Sequence, residues 1–167
     1  MRSLDLGCGT VIRNPYFADE LYGVDVVDLS KENIKVADLA IEPIPFEDNF
    51  FDYVTAYDFL EHVPRTIYFN NKRIHPFINV MSEIHRVLKP GGIFKAQTPA
   101  FPHGQAFQDP THVNIISTNT LMYFVGGFDD IASEYGFQGK FKYLDQYWNH
   151  EHPSHLMWEI SAIKENV

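Results

Sequence analysis

The chain has 167 residues, 45% hydrophobic and 21% charged, which suits one globular domain able to bury a core. A formal net charge of −9 with scattered Lys and Arg argues against nucleic acid as a partner, since phosphate backbones call for a basic face. No apolar run approaches the roughly 20 residues of a membrane span, no N-terminal stretch reads as a secretion signal, and a lone cysteine, Cys8, excludes an internal disulfide, so the cytoplasm is the expected compartment.

Arg2 to Leu6 reads as a short buried strand that runs straight into Gly7-Cys8-Gly9. A short helix is expected from Pro15, because proline suits the first helical turn. Leu21 to Val27 and Ile34 to Leu39 make the next two strands, and Pro43 and Pro45 then break the chain. Phe50 to Tyr57 is a strand rich in β-branched and aromatic residues. Across Lys72 to Leu88, apolar residues at Ile74, Phe77, Met81, Ile84 and Leu88 recur at three- and four-residue steps, which predicts the clearest helix. Lys89-Pro90-Gly91-Gly92 ends it and Ile93 to Thr98 follows as a strand. Residues 99–117 form a proline-punctuated loop too long to be a mere connection. Weaker helices are expected over Asn119–Val125 and Asp129–Tyr135, then two strands, Phe137–Tyr147 and His155–Lys164, joined by a polar turn. This alternation predicts a single α/β domain over 1–167, its sheet covered on both faces, with ligands bound along the edge where the early strands end.

Asp5-x-Gly7-x-Gly9 after a strand lets the backbone approach a ligand closely. Alone it is a weak signal, shared with dinucleotide enzymes and with plain tight turns. The segments that follow are more informative. Asp25 closes the second strand, where a carboxylate can accept hydrogen bonds from ribose hydroxyls. Asp38-Leu39 closes the third, offering an acceptor for an adenine amino group and an apolar contact for its ring. Phe51-Asp52-Tyr53-Val54 opens the fourth, and Glu83-Ile84-His85-Arg86-Val87-Leu88-Lys89-Pro90-Gly91-Gly92 precedes the fifth.

Together, over about residues 3–98, these segments resemble the class I S-adenosylmethionine-dependent methyltransferases, especially the small-molecule, type 11-like branch. The resemblance implies a Rossmann-like three-layer α/β/α sandwich with a seven-stranded, mostly parallel sheet and an antiparallel C-terminal strand. It implies S-adenosylmethionine as cofactor, held by Asp5, Gly7, Cys8, Gly9, Asp25, Val26, Asp38, Leu39, Ala56 and Tyr57. A dinucleotide enzyme would need a third glycine at a spacing not found here. Two departures from the family pattern stand out. Val11 occupies a position where many relatives have glycine, and fifteen residues separate Gly9 from Asp25, so the first helix must be short. The motif also begins almost at residue 1, so the N-terminal helices that roof the cofactor in relatives are expected to be absent from this stretch. A homodimer would supply the missing cover.

The acceptor side is expected after the fourth strand, at Ala56-Tyr57-Asp58-Phe59-Leu60-Glu61-His62-Val63-Pro64. If this segment is helical, Asp58, Glu61 and His62 lie one turn apart on one face, a spacing suited to a metal or a proton relay. It resembles the Glu-x-x-Glu-His segment of quinone-pathway O-methyltransferases and of small-RNA 2′-O-methyltransferases. That resemblance implies a site for Mg2+ or Mn2+ on Asp58, Glu61, His62 and the later His112. Metal-free acid/base use of His62 or His112, or a purely structural role, fits the same residues. The Pro-rich loop ending in Asp109-Pro110-Thr111-His112 resembles one in bacterial and phage methyltransferases of glycan context, where Phe101, His103, Phe107 and His112 would line the substrate mouth. The bland reading is a packed surface loop. His150-x-His152-x-x-His155 reads as a solvated turn away from the cofactor, and Cys8 as a packing residue. The expected function is methyl transfer to an oxygen of a small molecule or sugar. The alternative is a non-catalytic S-adenosylmethionine-binding module acting through a partner protein.

Overall fold

In the computed structural model, which describes residues 1–126 and 131–164, seven strands form one sheet in the order β3-β2-β1-β4-β7-β9-β8. The strands are β1 (Arg2–Leu6), β2 (Glu20–Asp25), β3 (Ile34–Val36), β4 (Phe51–Tyr57), β7 (Leu88–Pro99), β8 (Phe141–Trp148) and β9 (His155–Ala162). All neighbours are parallel except at β9, which runs antiparallel to both β7 and β8. This is the expected mostly parallel sheet with an antiparallel C-terminal strand. The order reverses between β1 and β4, so their carboxyl ends flank the switch point at which open α/β sheets bind ligands.

Burial explains why the strands read as apolar runs. Ser3, Leu4, Asp5 and Leu6 are all buried, because a central parallel strand is covered on both faces. Leu4 and Leu6 join Val24, Val54, Ala56 and Phe94 in the main core. Helix α1 (Pro76–Val87) closes that core with Phe77, Val80, Met81, Ile84 and Val87. Arg86, on its last turn, clamps the preceding chain: it donates to the carbonyls of Ile44 and Phe46 and to the carboxylates of Asp48 and Glu83. Asp52 likewise accepts from Lys89 and from the Arg2 amide, tying β4 to β7 and β1.

Several expectations are corrected. No helix forms from Pro15. The Asn14 side chain instead bonds the Ala18 amide and carbonyl, closing a tight loop that competes with helix. That loop lies on the second sheet face, where Tyr16 stacks on Tyr53 at 4.2 Å and Arg13 sits over the Tyr57 ring. The second and third strands end early, at Asp25 and Val36. The helix expected over Lys72–Leu88 begins at Pro76, because Lys72–Ile74 (β6) pairs with Ile67–Phe69 (β5) in a hairpin. Asn70 and Asn71 both take positive φ, the two-residue turn that suits the twist of such a hairpin. Strand β7 starts earlier than expected, at Leu88, and β8 later, at Phe141. The expected Asn119–Val125 helix is a 3-10 turn, Thr120–Tyr123. Of the helix expected over Asp129–Tyr135, α3 (Ile131–Glu134) is present, and Asp129 lies outside the described residues. With the four-residue α2 (Gln105–Gln108), this leaves α1 as the only helix longer than one turn among the described residues, and no helix there is long and apolar enough to cross a membrane.

Candidate active site

Residues from four segments meet in a cleft of about 300 Å3 at the carboxyl edge of the sheet. Gly7, Asp25, Asp38, Leu39, Asp58 and His62 are among its lining residues. Gly7 adopts φ +63, and a Cβ there would stand 2.8 Å from the Phe59 ring, so the loop needs glycine to pass beneath that ring. Gly9 is also left-handed, and nothing lies within 4 Å of where its Cβ would point, so the loop leaves open space on that side. Asp25 shapes the turn by accepting hydrogen bonds from the Gly9 and Val27 amides. A carboxylate has further lone pairs, so it retains acceptor capacity for a ligand. Asp5 works from below: fully buried, it accepts from the Arg13 amide and the Thr55 hydroxyl, and burial raises its pKa above the usual carboxylate value. Cys8 packs its sulfur against Gly23, and burial, with Asp5 and Asp25 nearby, pushes its thiol up to about 11.

A second cluster adjoins this cleft. Glu61, in the 3-10 turn Leu60–His62, is 1% exposed, and its Oε2 accepts the Thr98 hydroxyl at 2.9 Å. Its Oε1 has no partner among the described residues, and burial pushes the carboxyl up to about 7. The ligand atoms of Glu61, His62 and His112 lie within 4.8 Å of one another. The Asp109-Pro110-Thr111-His112 sequence has a visible purpose here. Asp109 accepts from the Thr111 amide and hydroxyl, forming a local turn, and the next amides, of Val113 and Asn114, both donate to the Glu61 carbonyl. The turn thereby seats His112 against His62, ring centroids 4.9 Å apart, with the His112 Nδ1 buried and unpartnered. Thr111 holds His62 through Nδ1 at 3.0 Å.

A family profile described as methyltransferase domain matches residues 4–96. The chain belongs to the class I S-adenosylmethionine-dependent methyltransferases. Among curated relatives of this methyltransferase domain, the demethylmenaquinone methyltransferase of Listeria welshimeri is 32% identical over an alignment 108 positions long that covers 53% of this chain and 41% of that protein. The Staphylococcus aureus enzyme of the same name is 31% identical over an alignment 109 positions long that covers 56% of this chain and 41% of that one. The matched stretch is thus about two-fifths of the length of these curated relatives. Among solved structures, a S-adenosylmethionine-dependent methyltransferase from Archaeoglobus fulgidus superposes with a TM-score of 0.58 at 16% identity, covering 96% of this chain and 85% of that one. The [4+2]-cyclase SpnF superposes at 0.60 and 16%, covering 97% and 74%. Likeness at that identity speaks for the fold alone.

Within the methyltransferase domain, Gly7, Asp25, Val26, Asp38 and Leu39 line the cleft, as do Asp58 and His62 from the post-β4 segment. Asp5, Cys8, Gly9, Ala56 and Tyr57 stand behind or beside it: Ala56 is fully buried and Tyr57 lies beneath Arg13. Asp58 parts from the expected foursome. It is not helical but left-handed, φ +53, and its carboxylate turns to His155 Nε2 at 3.3 Å and Gln97 Nε2 at 3.5 Å. His155 is therefore no solvated turn residue. The antiparallel register pairs it with Pro99 and so carries it to the site, a long-range pairing with no local signal. Phe59 over Gly7, and Thr98 and Asn114 against Glu61, also belong to the site, with no signal in the local sequence. Phe101 and Phe107 are each 55% exposed and His103 packs on Trp148, so of the loop aromatics and histidines only His112 meets the cluster.

Proposed function

We propose that this domain transfers a methyl group from S-adenosylmethionine to an oxygen of a small molecule, with Glu61, His62 and His112 handling the acceptor. The observation that carries the reading is that His62 belongs to both places: it lines the donor cleft and is one of the three clustered ligand residues. Asp25 and Asp38 would accept hydrogen bonds from the ribose and adenine of the donor, with Leu39 against the base and the Gly7–Gly9 backbone beside the methionine portion. The acceptor class we favour is a quinol-like ring, because the matched relatives are named demethylmenaquinone methyltransferases; a ring hydroxyl and a ring carbon are then both candidate acceptor atoms, and a sugar hydroxyl is the other class.

The residues present also fit a divalent cation. Glu61 Oε1 and His112 Nδ1 are buried polar atoms lacking partners among the described residues, an arrangement that costs free energy unless something fills it. Two imidazoles and a carboxylate suit Mn2+ better than Mg2+, which prefers oxygen ligands. A bound cation would supply positive charge to an acceptor oxygen and lower its pKa. Without it, Glu61, at a pKa near 7, and its two imidazole neighbours would share the proton the acceptor loses. The single buried thiol accords with a reducing, cytoplasmic setting.

Calorimetry with S-adenosylmethionine tests the first half: absence of binding to the folded chain would overturn the proposal. Transfer of labelled methyl to a panel of catechols, hydroquinones and sugars tests the second, with Mn2+ added or chelated. Turnover that chelation abolishes and Mn2+ restores supports the metal; turnover indifferent to chelation rejects it. Donor binding with no transfer to any acceptor would instead favour the non-catalytic module.

A further inference from the structure

A further cavity lies outside the donor cleft. It measures about 480 Å3 and lies between the start of α1, the 3-10 turn at Thr120–Tyr123 and Tyr135. It shares no lining residue with the donor cleft. Its floor is apolar: Phe77 and Phe124, both buried, meet edge to face at 5.4 Å. Its rim carries Arg65, His75, Asn119 and Tyr135.

The electrostatics are one-sided. In a chain of net charge −9, no carboxylate lines this cavity among the described residues, while a guanidinium does. Arg65 is held in place rather than swinging freely: Nε donates to Asn114 Oδ1 at 2.7 Å and Nη2 to the Ile115 carbonyl. Its Nη1 has no partner among the described residues. His75 is oriented too, with Nδ1 engaged by Thr66 Oγ1 and the Arg65 carbonyl, which leaves Nε2 without a partner among the described residues, and Tyr135 stands edge-on to the ring. A pre-set cation beside an aromatic floor is a preorganised arrangement, and preorganisation reduces what binding must spend on ordering side chains. The volume falls within the range of small-molecule sites.

We propose that this cavity is a second ligand site, distinct from the donor cleft, for a small anion with a flat apolar body, such as an aromatic carboxylate or an aromatic phosphate monoester. The anionic head pairs with Arg65 and His75, and the ring rests on Phe77 and Phe124. The site also communicates with the acceptor cluster through a short chain of hydrogen bonds. Arg65 holds Asn114, and Asn114 in turn holds the Leu60 and Glu61 carbonyls through its side chain and backbone amide.

The test titrates the full chain with phenyl phosphate and benzoate, with benzyl alcohol as the neutral control, and follows binding by calorimetry and amide chemical shifts. Both anions are expected to bind with sub-millimolar to millimolar dissociation constants, roughly the range of fragment-sized ligands, and the alcohol at least tenfold more weakly. Excess S-adenosylmethionine should not displace them. Arg65 also braces residues 114–115, so the deciding substitution is at the exposed rim: Asn119→Glu, which adds a negative charge, should weaken both anions at least tenfold, whereas Asn119→Gln should not. Tyr135→Ala should weaken them several-fold. Equal binding of the alcohol, displacement by S-adenosylmethionine, or indifference to Asn119→Glu would each overturn the proposal. None of these results depends on whether methyl transfer occurs.

Discussion

Asp25 and Glu61 illustrate how differently two carboxylates are used within one site. Asp25 is half-exposed and already organises the glycine loop through the Gly9 and Val27 amides. Asp25→Ala should therefore weaken S-adenosylmethionine binding by about 10- to 100-fold in calorimetry, by removing a charged acceptor and loosening the loop together. Asp25→Asn should lose less, since its carbonyl still accepts. Glu61 is buried, and its pKa is raised to about 7 by desolvation. A carboxyl raised in the folded state favours folding while protonated and loses that advantage as pH climbs from the unfolded value toward 7. In chelator, thermal stability should thus fall between about pH 4.5 and 7, by as much as about 3 kcal/mol. Glu61→Gln should flatten that slope, and Mn2+ should reverse it in the parent protein if the cluster binds metal. A parent slope equal to that of Glu61→Gln would show that Glu61 does not ionise in this range. The chemistry of these residues could be read from type and spacing. Their partners were harder to read: Asp58 leaves the group for His155, a consequence of β9 pairing with β7 that no local pattern encodes.

At the level of elements, what was legible follows from periodicity. Strands buried on both faces read as apolar runs, and α1 shows three- and four-residue spacing along its buried side. What escaped was decided by side chains competing with the backbone. Asn14 closes a loop where a helix was expected, and Asn70-Asn71 turn a hairpin inside what looked like helical periodicity. The Arg-Val-Leu-Lys-Pro-Gly-Gly segment gains a structural meaning as well. Arg86 satisfies two backbone carbonyls and two carboxylates from one half-buried fork, fastening residues 44–48 to α1. Arg86→Ala leaves the Phe46 carbonyl without its donor, and the Ile44 carbonyl and Glu83 with only the Phe46 and Ile44 amides, and should cost about 2–4 kcal/mol in denaturant unfolding. Arg86→Lys should recover less than half of that loss, since an ammonium lacks the fork that reaches all four acceptors. Full rescue by lysine would show that charge alone matters.

Across the molecule, reinforcement is uneven. The antiparallel end of the sheet is braced by long strands and a fully buried Trp158, whereas the crossovers linking β1, β2, β3 and β4 hold no helix among the described residues, and β3 is three residues long at the sheet edge. Backbone amides in β2 and β3 should therefore exchange with deuterium faster than those in β7 and β9. S-adenosylmethionine should slow the β2 and β3 amides selectively; uniform protection, or none, would contradict the placement of the donor there. The consequence reaches into kinetics. If, as proposed, a donor bridges the ends of β1, β2 and β3 to the turn after β4 that carries His62, the two substrates should enter in a compulsory sequence, donor before acceptor. The helix that Asn14 prevents from forming would then be expressed as an order of addition.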